Sequence, residues 1–125
     1  MNGVEFRKIE PAFSDDRGHI MDLCEEQVGH VGLITFTAGA VRARHYHKKS
    51  TQYTYTLEGK IELTVYPKDK PELTETIIMD EGSFVSIAPE IVHVYKALDD
   101  SVIIDMTTLS RNADGYEADT VRVEA

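Results

Sequence analysis

Residues 39–59, GAVRARHYHKKSTQYTYTLEG, decide how this 125-residue chain folds. Successive side chains of a strand point to opposite faces, so His45 and His47 in extended backbone share one face. His47 and Gln52 are an odd number of residues apart. Both reach one interior only if the chain turns or bulges between them, and Lys48-Lys49-Ser50-Thr51 is polar enough to turn. Beyond the turn the alternation resumes, with Gln52, Thr54 and Thr56 on one face and Tyr53, Tyr55 and Leu57 on the other. Gly59 closes the strand. The stretch therefore predicts a polar interior face that carries imidazoles and an amide.

The flanking sequence supplies the apolar counterpart. Residues 60–66, KIELTVY, alternate strictly with Ile61, Leu63 and Val65 on one face, which predicts a hairpin with the preceding strand. Residues 31–39 read as a β-branched and aromatic strand. Toward the N-terminus, residues 4–13 read as an edge strand ended by Pro11, and residues 15–18 as a turn. In residues 19–26, Ile20, Asp22 and Cys24 would share one strand face and Met21, Leu23 and Glu25 the other. Downstream, residues 67–71 read as a loop, 74–82 as strand and turn, and 83–98 as two strands around a proline corner. Residues 101–109 form an apolar strand, and the polar tail beyond holds a loop and a short terminal strand. No segment sustains a 3.6-residue period. Seven to nine short strands with frequent turn signals predict an all-β sandwich or barrel, folded as one domain over residues 1–125.

A formal charge of −9 argues against a nucleic-acid partner, which needs a basic face. A small anionic ligand remains compatible, because Arg42, Arg44, Lys48 and Lys49 cluster beside the histidines; the plainer alternative is a solvated rim. Cys24 is alone, so no intrachain disulfide forms, and it reads as structural. No apolar run has the length of a membrane span, and the N-terminus lacks a signal pattern. The expectation is a soluble cytoplasmic protein with neither membrane nor nucleic-acid partners.

Three of five histidines, His45, His47 and His93, fall in candidate strands. Neutral imidazole ligates zinc, iron, nickel and copper, and an oxygen donor such as the Gln52 amide completes such a site while leaving positions open for catalysis. His19 and His30 lack such company and read as surface or turn histidines. The simpler alternative for the trio is hydrogen-bonded interior histidines without metal.

The spacing Gly39-X5-His45-X-His47-X4-Gln52-X6-Gly59 resembles the first motif of the cupin superfamily. Gly82-X5-Ala88-Pro89-Glu90-X2-His93 resembles its second motif. The resemblance implies a cupin jelly-roll β-barrel or sandwich. It also implies a divalent transition metal, with zinc, iron, manganese, nickel or copper all candidates, held by His45, His47, Gln52 and His93. Gln52 stands where the motif usually has glutamate, which removes one negative charge. Ala88, Glu90 and Ala97 replace the usual proline, glycine and asparagine.

A narrower resemblance points to one reaction type. HYHKKSTQ after Arg42 and Arg44, the early Asp16-Arg17-Gly18 and the late YEADTVR of residues 116–122 are similar to nucleotide-sugar 3,4-ketoisomerases and their sugar-epimerase relatives. That likeness implies histidine and tyrosine acid–base chemistry next to a keto group, with no metal required. His45 and His47 would move protons, and Tyr95, on the face of His93, would be the partner acid. Arg42, Arg44 or Lys48 would face a pyrophosphate. The alternatives are a metal-dependent cupin dioxygenase or lyase, and a non-catalytic small-ligand binder. The exposed sheet edges of a short jelly roll, together with the resemblance, lead us to expect a homodimer.

Overall fold

A computed structural model describes residues 1–110 and 116–124. Its strands, in chain order, are β1 (Val4–Lys8), β2 (Phe13–Asp15), β3 (Gly18–Ile20), β4 (His30–Phe36), β5 (Val41–His47) and β6 (Gln52–Glu58). They continue with β7 (Lys60–Pro67), β8 (Glu75–Asp80), β9 (Ser83–Ile87), β10 (Ile91–Ala97), β11 (Ser101–Thr107) and β12 (Thr120–Arg122). A 3-10 turn (Pro71–Leu73) and a short helix α1 (Tyr116–Asp119) are the helical pieces among the described residues.

Two five-stranded antiparallel sheets, ordered β1-β9-β6-β11-β4 and β12-β5-β10-β7-β8, form the sandwich; β2 and β3 pair separately as a hairpin. The all-β jelly-roll expectation holds. β6 and β7 lie in different sheets, so they do not pair with each other as the hairpin reading expected. Gly59 takes the chain across at φ 90°, where a Cβ would sit 2.5 Å from the Asp100 carbonyl oxygen. The tight crossing thus requires glycine. Inside, Ile61, Leu63 and Val65 of β7 pack with Met79, Val85, Ile87 and Ile103, all essentially inaccessible.

Two expectations shift at the N-terminal side. Residues 4–13 do not run as one strand: β1 stops at Lys8, Ile9 is buried with its N–H on the Gly82 carbonyl, and pairing resumes at Phe13. Pro11, which has no N–H to give a ladder, lies in that gap. Residues 21–25 form no strand. Met21, Leu23 and Cys24 instead pack together against a second apolar cluster of Ile9, Tyr55, Phe84 and Met106, so the two-faced reading of that segment fails. The expected terminal strand is β12. The loop expected before it falls largely outside the described residues, as do the Tyr116 and Glu117 side chains of the YEADTVR stretch. Among the described residues, no helix is long and apolar enough to cross a membrane.

Candidate functional site

β5 is the strand that shapes the site. Against β10, His45 pairs with His93 and Ala43 with Val94, so Arg44 is an extra residue in a β-bulge. Ala43 and Arg44 both carry positive φ, 75° and 61°, a region costly for residues with a Cβ. The bulge inverts the strand's parity. Strict alternation from His45 would turn Arg42 outward, yet Arg42 pairs with Tyr95 and shares its inward face. Arg42 donates to the Thr35 carbonyl (3.0 Å) and lies over the Phe36 ring at 5.2 Å. Arg44 is carried to the outer face, beside Glu62, Thr64 and Lys96. Lys48 and Lys49 are exposed on the 48–51 turn. Of the basic residues the sequence grouped together, only Arg42 lines the interior cleft.

The turn after His47 is held from the C-terminal side. β12 pairs Thr120 with His47, and the Asp119 carboxylate accepts from the Lys49 and Ser50 backbone N–H groups at 2.7 and 3.2 Å. That carboxylate also lies 3.8 Å from His47 Nδ1, which is 3.2 Å from the Thr120 hydroxyl. Facing it, β6 and β11 supply Gln52, Thr54 and Asp105, all at least nine-tenths buried. His47 donates its Nε2–H to Gln52 Oε1 (2.8 Å). Gln52 Nε2 donates to Asp105 Oδ1 (2.7 Å) and to the Tyr95 hydroxyl (3.1 Å), which is 2.7 Å from Thr54 Oγ1.

The three imidazoles cluster edge-on and tilted, with ring centroids 4.7, 4.9 and 5.3 Å apart. His93 donates Nδ1–H to the Ile91 carbonyl (3.1 Å), leaving Nε2 buried without a partner, and neither His45 nitrogen has one. Burial dominates their ionisation. Desolvation first, then His47 and Arg122, hold His45 at about 4. Burial and the other two imidazoles push His93 well below the ordinary histidine value. His47 is lowered by burial, against the opposing pull of Gln52 and Asp119. At neutral pH, His45 is a neutral base with free lone-pair capacity. It opens with Arg42, Gln52, Tyr95 and Asp105 onto a cavity of about 100 Å³. A roomier depression of about 780 Å³, lined by Lys68, Leu73 and Glu90, contains no histidine.

The trio could hold a metal ion, its nitrogens lying within 4.8 Å of one another. Donors on tetrahedral zinc sit about 3.4 Å apart given Zn–N distances of about 2.0–2.1 Å, so the rings would have to close in. His45 and the Nε2 of His93 offer lone pairs that fit such a ligand set. His47 Nε2 carries the hydrogen it gives to Gln52, and the Gln52 oxygen receives it. Two of the four expected ligands are thus committed to each other and do not fit as they stand.

Sequence reasoning missed Asp105 and Asp119. Asp105 had a signal, a single acid inside the apolar strand SVIIDMTTL. Asp119 had none, since its place depends on how a terminal strand pairs.

Two antiparallel sheets closing over a buried three-imidazole cluster define a small β-sandwich protein with an interior polar site. The cupin domain family matches residues 32–107, and the chain belongs to that family. A curated relative, the spore coat polysaccharide biosynthesis protein SpsL of Bacillus subtilis, is 27% identical over 128 residues, covering 91% of this chain and 84% of that protein. Among solved structures, a mutant of the 3,4-ketoisomerase QdtA from Thermoanaerobacterium thermosaccharolyticum, in complex with TDP-4-keto-6-deoxyglucose, superposes with a TM-score of 0.81. The identity is 18%, covering 98% of this chain and 89% of that one. The dTDP-4-dehydrorhamnose 3,5-epimerase from Sulfolobus tokodaii gives 0.80 at 19% identity, over 99% and 78%. At such identities these structures share the fold with this chain.

Proposed function

We propose that this cupin is an isomerase or epimerase acting on the keto sugar of a sugar nucleotide. The observation that carries the reading is the cleft itself: a buried imidazole with free nitrogens, a hydrogen-bonded phenol and an arginine line one small cavity. His45 takes the proton from the carbon next to the carbonyl. Tyr95 gives its proton to the carbonyl oxygen, yielding an enediol. The Gln52 N–H that donates to the Tyr95 oxygen stabilises the phenolate left behind. Return of the proton to the neighbouring carbon, as the hydroxyl on the first carbon gives its proton to the Tyr95 phenolate, moves the carbonyl. A solvent proton added to the opposite face of the first carbon, as the enediol oxygen gives its proton back to Tyr95, inverts that carbon. Arg42 supplies positive charge where negative charge develops or where a phosphate lies. His47 backs His45 and is oriented by Gln52 and Thr120. The cavity takes only the reacting part of such a ligand, and the nucleotide extends beyond it.

Support comes from the ligand and reactions named for the two solved structures and from the polysaccharide biosynthesis named for the curated relative. The metal-dependent alternative, a dioxygenase or lyase, needs His47 and Gln52 as ligands, and their mutual hydrogen bond speaks against it. The exposed edge strand β4, with Val31 and Leu33 uncovered, is the surface we read for the expected homodimer.

The test is proton exchange. Incubation with TDP-4-keto-6-deoxyglucose in deuterium oxide is expected to place deuterium on a carbon beside the keto group, followed by NMR. His45→Gln should lower the exchange rate by about 10²–10⁴-fold. Exchange at the same rate in that variant, or none with any nucleotide keto sugar in the parent protein, would refute the proposal.

A further inference from the structure

We infer that Asp105 dictates the tautomer of His47 through the Gln52 amide, and so sets this cluster against metal binding. A carboxylate only accepts hydrogen bonds, so the group facing Asp105 Oδ1 at 2.7 Å is the Gln52 NH2. The Tyr95 hydroxyl, which can donate or accept, meets the amide in either orientation, so the carboxylate alone decides it. An amide so pinned turns its oxygen to His47, 2.8 Å away, and an amide oxygen also only accepts. His47 Nε2 must therefore carry hydrogen and has no lone pair to give. The two carbonyl-type groups in the relay leave no freedom at either end, because Gln52 and Asp105 are both nearly inaccessible to water. Reversing the amide would set its oxygen against the carboxylate, an uncompensated clash of two acceptors in a dry site.

Asp105 borders the cleft, and toward His47 it is a positioning residue that acts two side chains away, through Gln52. This inference concerns the hydrogen on one ring nitrogen and stands whether or not the cleft isomerises a sugar. Without the carboxylate, the amide can turn over and present NH2 to His47. The ring then shifts its hydrogen to Nδ1, and three Nε2 lone pairs could converge.

The experiment uses the full chain labelled with ¹⁵N-histidine, with His47 assigned by comparison with His47→Gln. In the parent protein the ring spectrum should show Nε2 of His47 bearing hydrogen. In Asp105→Leu that signature should be lost wholly or in part, and zinc affinity measured by calorimetry should rise at least about tenfold. Asp105→Asn, which can accept through its own amide oxygen, should keep the parental tautomer and parental zinc affinity. An unprotonated Nε2 on His47 in the parent protein overturns the inference, and that measurement requires no variant at Asp105. An Asp105→Leu protein with the parental spectrum and zinc affinity overturns it equally. Activity is not read in any arm, so failure of the isomerase reading and failure of this one remain distinguishable.

Discussion

β6 and β7 meet at Gly59 and face the same interior with opposite chemistry. β7 turns in Ile61, Leu63 and Val65, and β6 turns in Gln52, Thr54 and Thr56; all six are between 0 and 4% accessible. Burial is equal, so burial alone cannot tell the stabilising strand from the functional one. The difference lies in compensation. Apolar side chains gain free energy simply by leaving water, whereas each polar one must find a partner or cost stability. Gln52 makes three hydrogen bonds and Thr54 makes one, while Thr56 Oγ1 has none. One wall holds the sandwich together; the other gives up stability to hold proton-handling groups in place.

Truncation should separate apolar from polar burial most clearly, and it can be done within the one sheet that holds both β5 and β7. Leu63→Ala removes a fully buried side chain between β10 and β8 and should cost about 2–5 kcal/mol in chemical denaturation. His45→Leu replaces two unpartnered buried nitrogens with a branched apolar group, and stability should stay level or rise. A loss from His45→Leu as large as that from Leu63→Ala would abolish the distinction.

Acid should attack the polar cluster, whose histidines lie on β5 and β10, and not the apolar core beside it. A histidine held below its ordinary value binds its proton in the unfolded chain before it does so in the folded one. Stability is therefore full above about 6.5 and falls as pH drops toward about 4, where His45 itself titrates. The slope is at most about 1.4 kcal/mol per pH unit for each such histidine, with His93 and His47 acting in the same direction. Denaturation midpoints measured across that window should drop steadily, and a His45→Leu protein should drop less. A flat profile would mean that the cluster is hydrated and carries none of the assigned cost.

The division between the walls was largely legible in the sequence, because period-two alternation in residues 52–66 is a direct imprint of the pleat. His45, His47, Gln52 and His93 converge as their spacing suggested. What could not be read is local geometry without a residue signature. Ala43 and Arg44 adopt positive φ although neither residue type announces it, so the bulge that turns Arg42 inward was invisible, and Arg42 and Arg44 read alike. Asp119 reaches His47 through the pairing of β12, a contact some seventy residues away in sequence that alternation cannot foresee. The gap between β1 and β2 was masked in a similar way, since the apolar character of Ile9 suits a strand as well as a buried connection.

That bulge gives the next test. If Arg42 serves the cleft and Arg44 the outer face, Arg42→Ala should weaken binding of a thymidine diphosphate probe about tenfold, the scale of one charged hydrogen bond. Arg44→Ala should leave it nearly unchanged. Calorimetric titration of both variants reads the difference, and equal losses would mean that the parity switch at residues 43–44 has no bearing on ligand.

The smallest expected effect falls on the one member of the polar wall that serves nothing in the hydrogen-bond chain. Thr56 is fully buried opposite Ile103, and its hydroxyl has no partner. Thr56→Val keeps the branched shape and replaces the hydroxyl with a methyl, so packing changes little while an unmet polar group disappears. Stability should rise by about 1 kcal/mol in denaturant unfolding, with proton exchange unaltered, because Thr56 touches neither Gln52 nor Tyr95 by hydrogen bond. A destabilised Thr56→Val would show that the hydroxyl is satisfied by water inside the sandwich, which would extend the polar wall one residue further from the cleft toward the Gly59 crossing.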